Sequence, residues 1–156
     1  MLQITKRADY GLIALTHLAA HPGERVSARA LARAFHLSHP LLANVLKALA
    51  REEVVRSVRG TKGGYELALP PDALPVGRVV ELLEGPLKLA GCVGVDARSP
   101  DDEACTALCA CPVRHGMLRL HARMRDLLYG VTIADLARGT PGRGPLPLAA
   151  GVAAAR

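Results

Sequence analysis

From Ser27 to Arg51 the chain writes two short helical segments separated by only His36-Leu37, and that brevity governs how they pack. Ser27 reads as the N-cap of a helix from Ala28 to Phe35, with Leu31 and Phe35 inward. Ser38 caps the next segment, with Pro40 in its first turn. That segment runs to about Arg51 and should bury Leu41, Val45, Leu46 and Leu49. Two short helices across so tight a connection match the helix-turn-helix unit.

The flanking segments complete the plan. Upstream, Ile4, Ala8, Leu12, Leu15, Leu18 and Ala19 recur at helical spacing until His21-Pro22-Gly23 ends the helix. Downstream, Val54 to Val58 turns to strand character, and Tyr65 to Leu69 alternates like a returning strand. Between them lies Arg59-Gly60-Thr61-Lys62-Gly63-Gly64, a hairpin tip with three glycines and two cations. A Gly-rich hairpin is ordinarily just a turn. Placed after a helix-turn-helix and carrying Arg59 and Lys62, it reads as a wing that touches nucleic acid. The expected fold is mainly α with a small β-wing: a winged helix-turn-helix domain over residues 1–70.

Pro70-Pro71 punctuates the chain, and a short helix is expected from Leu74 to Leu83, ending near Gly85-Pro86. Residues 91–108, with Gly, Pro, Ser and four acids, read as an exposed loop. A long helix from Pro112 to Tyr129 follows, with Met117, Leu120, Met124, Leu127 and Leu128 in an apolar stripe. This stripe either packs onto its own domain or, the reading favoured here, forms a two-fold dimer helix, which would pair two recognition helices on a pseudo-palindromic operator. Thr132 caps a last turn or two, Ile133 to Arg138. The division is therefore 1–70 for nucleic-acid binding, 71–138 for the loop and dimerisation helix, and 139–156 for a Gly/Pro/Ala-rich tail expected to be disordered.

Charge agrees with this plan. The 156 residues carry a net charge of +6, and residues 1–70 hold ten Lys or Arg against five Asp or Glu. Such clustering on one small fold is the footprint of a phosphate-binding face. Aromatics are 3% of the chain, too few for a single-strand stacking platform. No Ser/His/Asp or paired-carboxylate pattern stands out, and no phosphate-binding Gly loop precedes a helix, so an enzyme is not expected. No apolar run is long enough to span a bilayer and no signal peptide is visible, so a cytoplasmic protein is expected.

The four cysteines stand apart. Cys92, Cys105, Cys109 and Cys111 fall within 20 residues, in one polar segment and at the mouth of the long helix. Scattered buried cysteines behave as small hydrophobes, but four in one loop do not. The paired C-x2-C pattern of a zinc ribbon is absent. Thiolates in a loop ending at Cys111-Pro112 suit an iron–sulfur cluster (2Fe-2S or 4Fe-4S), with zinc as the alternative.

Four stretches together resemble the BadM/IscR/NsrR-type family of bacterial winged-helix transcription regulators. They are Ile4 to Leu12, Val58 to Tyr65, Cys105-x5-Cys111-Pro112, and Val131 to Ala137. The resemblance spans about residues 1–138 and lies nearest the SUF-type regulators of iron–sulfur assembly. It implies a homodimer whose iron–sulfur cluster tunes DNA binding, and the reading adopted is a repressor acting on sequence-specific operators. Carried over by position, Cys92, Cys105 and Cys111 are the implied ligands, although the Cys92–Cys105 gap is longer than usual. Candidates for a fourth ligand are the additional Cys109, otherwise a bystander, and Asp9 of the opposite protomer, which matches a carboxylate ligand of nitric-oxide-sensing relatives and is otherwise a first-turn acid stabilising its helix. The helix from Ser38 would enter the major groove with Ser38, His39, Asn44 and Lys47. Thr5, Lys6 and Arg7 would hold phosphates, Arg59 would reach the minor groove, and Lys62 would add a wing contact. The rival readings are a nitric-oxide or redox sensor with the same cluster, and a zinc or thiol interaction module with no DNA role.

Overall fold

The computed structural model describes residues 4–60, 63–89 and 111–139. Helix α1 (Lys6–Ala20) starts at Thr5, whose hydroxyl accepts from the N–H groups of Arg7 and Ala8 at 3.2 and 3.4 Å. It buries Ala8, Gly11, Ala14, Leu15 and Leu18, more than one stripe, because it is packed on several sides. Small residues permit this close approach. A Cβ at Gly11 would collide with the Leu83 methyl and sit 3.5 Å from Val45.

Helices α2 (Ala28–Ala34) and α3 (His39–Arg51) form the expected helix-turn-helix, with His36 between them at φ 53°. The inward face of α3 is Leu42, Val45, Leu46 and Leu49. Leu41, expected in that set, is only half-buried; Leu42 takes its place because it extends the i, i+3, i+4, i+7 row. Phe35, also expected inside, is the C-cap of α2 and stays 39% exposed, lying edge-on to His17 at 5.4 Å. The helix ends before Phe35 could be turned inward.

Strands β1 (Val55–Val58) and β2 (Gly64–Leu67) pair antiparallel, from Val55 opposite Leu67 to Val58 opposite Gly64. Val26 adds a third rung: its N–H reaches Tyr65 O at 3.1 Å, and Tyr65 N–H returns to Val26 O at 2.9 Å. That rung explains Gly64, where a Cβ would lie 2.8–3.0 Å from the Val26 backbone.

The core does not stop at Pro70. After a 3₁₀ turn at Pro71–Ala73, α4 (Val76–Glu84) sends Val76, Val79, Val80 and Leu83 into the cluster formed by Ala8, Leu15, Val45 and Leu49. The helix starts two residues later than expected, since Pro75 supplies its N-cap. Ile133 joins the same cluster from α6 (Ile133–Ala137), whose Thr132/Asp135 capping box is complete. Backbone bonds stitch the two stretches together, Val76 N–H to Val131 O and Ile133 N–H to Leu74 O, each 2.9 Å. The segments on either side of the cysteines are thus both anchored on the helix-turn-helix core. Between them α5 (Arg114–Gly130) has no fully buried residue.

Candidate nucleic-acid interface and cysteine-bearing segment

Exposed cations lie on α1, on α3 and at the end of β1. Lys6, Arg7, Asn44, Lys47 and Arg59 are exposed, and the cations among them make no ion pair among the described residues. Unpaired cations are what phosphate binding requires, because a cation already held by a carboxylate releases less on meeting a phosphate. Ser38 and His39 are exposed at the start of α3. Lys62 lies outside the described residues. The Thr5 hydroxyl caps α1 and donates to Glu84 Oε1. Sequence reasoning did not single out Arg29, Arg33, Arg51 and Arg56, which are likewise exposed and unpaired. Their signal was present in the i, i+4 spacing of Arg29 and Arg33, opposite buried Leu31 and Ala32.

Arg25 belongs to the architecture instead. Its Nε meets Glu66 Oε2 at 2.9 Å, tying the approach to α2 to the second wing strand. At the other end of α1, the His17 and His21 rings lie 4.3 Å apart, and His21 Nδ1 is 2.9 Å from His17 O. Burial, then the neighbouring His21, pushes the His17 pKa down, while Glu24 opposes the shift.

Of the four cysteines only Cys111 is described; Cys92, Cys105 and Cys109 lie outside the described residues. Cys111 is a half-buried free thiol at the foot of α5, its carbonyl accepting from Arg114 N–H at 3.4 Å. Asp9 is exposed in the first turn of α1, with no side-chain hydrogen bond or ion pair among the described residues. No group of three or more potential metal-binding side chains occurs among the described residues.

Helix α5 divides the apolar stripe in two. Met117, Met124 and Leu128 are half-buried, whereas Leu120 and Leu127 are 53% and 47% exposed. Its C-terminal end is docked. The Tyr129 ring lies against Gly77, its hydroxyl donates to Glu81, and Arg125 sits over the ring at 5.3 Å. The Glu81 hydrogen bond, reinforced by burial, raises the Tyr129 phenol above its ordinary pKa. Two buried polar atoms on α5, Arg114 Nε and His121 Nδ1, have no hydrogen-bond partner among the described residues. No helix among the described residues is long and apolar enough to cross a membrane.

Comparison with known proteins converges on this arrangement. Residues 4–139 match the family model of Rrf2, an iron-dependent transcriptional regulator. A putative HTH-type transcriptional regulator of Aquifex aeolicus is 32% identical over 127 residues, 81% of this chain and 85% of the relative. The solved structure of CymR, the global cysteine regulator of B. subtilis, is similar with a TM-score of 0.72 at 28% identity, covering 90% of this chain and 99% of that one. IscR of T. potens has a TM-score of 0.67 at 27% identity, covering 88% of each chain. These relatives are regulators rather than enzymes, and the reading as a module without a DNA role is set aside. A helix-turn-helix with exposed cations, a short β-wing and a long C-terminal helix is thus a DNA-binding transcriptional regulator, and the chain belongs to the Rrf2 family.

Proposed function

We propose that this regulator is a homodimeric repressor whose DNA affinity follows the state of an iron–sulfur cluster, and that it controls iron–sulfur assembly genes. One observation carries the reading. The segment bearing the cysteines leaves α4 at Gly85, beside the Glu84–Thr5 bond that ties α4 to the start of α1, and returns at Cys111 to the foot of α5. One end of the segment therefore adjoins a helix packed on α1 and α3, and the other leads into α5, which packs on that same helix. A change within it has a short mechanical route to Lys6 and Arg7.

The donor set fits such a group in kind. Cys92, Cys105 and Cys111 would hold it as soft thiolates, which favour iron–sulfur chemistry. Asp9 of the partner protomer or Cys109 would complete the set. A bound cluster supplies an oxidant- and nitric-oxide-labile centre. Asp9, four residues after the α1 cap, would connect that centre to the helix carrying Lys6 and Arg7. Dimerisation would run through α5, with exposed Leu120 and Leu127 on the seam. The unsatisfied Arg114 Nε and His121 Nδ1 support further contacts to α5, since buried polar atoms normally find a partner. On DNA, Ser38, His39, Asn44 and Lys47 would read the major groove. Lys6, Arg7 and Lys62 would hold phosphates, and Arg59 would enter the minor groove.

Anaerobic purification of the full chain, with a visible spectrum, iron and sulfide assays and DNA binding before and after cluster removal, tests this. Brown protein with equimolar iron and sulfide, and a DNA affinity that changes on cluster loss, supports it. Colourless, zinc-loaded or metal-free protein with unchanged DNA affinity overturns it. Asp9→Ala and Cys109→Ala then separate the fourth ligand: the variant that bleaches the spectrum identifies it.

A further inference from the structure

We propose that Tyr10 is the positioning residue of the recognition helix, fixing the start of α3 and with it the free Ser38 hydroxyl that, in the function proposed above, meets the operator. Three features of the α3 N-terminus lead to this. First, Ser38 has extended N-cap geometry, φ −67° and ψ 112°, yet its side chain makes no capping bond. The hydroxyls at the other N-caps, Thr5, Ser27 and Thr132, each accept from first-turn N–H groups. Second, the third helical residue is Leu41, so no carboxylate or carboxamide returns to the Ser38 N–H as in a capping box. Third, that N–H is met from another helix: Ser38 N–H donates to the Tyr10 hydroxyl at 3.3 Å.

Tyr10 is well held for this task. Its half-buried ring packs on the cluster of Ala14, Leu31, Ala32, Leu42 and Leu46, which joins α1 to α2 and α3. The ring is therefore fixed by the same side chains that place α3, and its hydroxyl sets the axial position of the helix's first residue. A helix capped by its own serine would spend that hydroxyl on the backbone. Here Tyr10 takes the Ser38 N–H, Pro40 leaves the second helical position without an N–H to cap, and the serine hydroxyl and neighbouring His39 remain exposed at the end of α3 that, in the function proposed above, enters the groove. Reading base edges depends on sub-ångström placement of such groups, so loss of the anchor should act on sequence discrimination.

The test uses the full chain, a duplex selected by the wild-type protein from a random pool, and an unrelated duplex of equal length. Binding by fluorescence anisotropy is compared for wild type, Tyr10→Phe, Ser38→Ala and the double variant across a salt series. Tyr10→Phe should weaken the selected duplex about three- to tenfold, the range for one lost neutral hydrogen bond. The unrelated duplex should change less than twofold, and the salt slope should hold because no phosphate contact is removed. Ser38→Ala should weaken the selected duplex without lowering the melting temperature, since no cap is lost. The double variant should lose little more than the worse single variant, because both changes act at one contact. Unchanged binding of the selected duplex by Tyr10→Phe overturns the proposal, as does an equal loss on both duplexes or a fully multiplicative double variant.

Discussion

Gly77→Ala tests how α5 is joined to the rest of the molecule. A Cβ at this buried second residue of α4 would lie 2.5 and 2.7 Å from Cδ2 and Cε2 of Tyr129, and 3.2 Å from Cγ. Comfortable carbon–carbon contact begins at about 3.5 Å, so the ring would have to retreat by roughly 1 Å. It is not free to do so. Its hydroxyl is bonded to Glu81, one turn along α4, and Arg125 covers its face. Overpacking of this kind costs about 1–3 kcal/mol. Alanine's better helix propensity returns at most about 1 kcal/mol, and less in a first turn. The expected net loss is about 1–2 kcal/mol, a fall in melting temperature of about 2–8 °C at fixed protein concentration. The same substitution in a Tyr129→Ala background should be neutral or slightly stabilising, since the obstacle is gone. A higher melting temperature for Gly77→Ala in the otherwise wild-type chain would refute the docking of Tyr129 on α4.

Three further outcomes follow from particular contacts. Gly64→Ala should cost about 1–3 kcal/mol, because its methyl meets Val26 backbone that cannot swing aside; hydrogen exchange at Val26 and Tyr65 should accelerate, and wild-type exchange would count against the third rung. His17 has a folded pKa below its ordinary value of about 6.5. Its neutral form is therefore favoured by folding, and its contribution to stability is present above that value and is lost as pH falls through the folded pKa. Denaturant titrations from pH 7.5 to 5 should show that loss (roughly this window, given the reference value), and His17→Gln should flatten it. Leu120→Asp, on an exposed position, should leave the protomer's fold intact yet yield monomers by sedimentation; an intact dimer would remove α5 from the interface.

The elements legible in the sequence were those set by near neighbours. Ser27 and Thr132 cap their helices as expected, and the helix-turn-helix and Gly-tipped hairpin occupy the expected stretches to within a few residues. Periodicity was less informative where a helix meets several partners. Helix α1 reads as one stripe but buries Gly11 and Ala14 as well, since small residues carry little hydrophobic signal yet allow close approach. The α5 stripe reads as continuous, but only Met117, Met124 and Leu128 are half-buried while Leu120 and Leu127 face outward. The cationic side chains were legible by composition; which were free depended on where the carboxylates fell, as the Arg25–Glu66 pair shows.

The sequence by itself therefore determined the order and kind of the elements, because caps, turns and hydrophobic period act over a few residues. Tertiary structure decided which surfaces meet. It brought α4 and α6 into the core of the helix-turn-helix, bonded Thr5 to Glu84, and set the Tyr10 hydroxyl at the start of α3. Those contacts join residues 79 and 28 positions apart. A local pattern states that a face must be buried, but the partner is chosen by the packing of the whole chain.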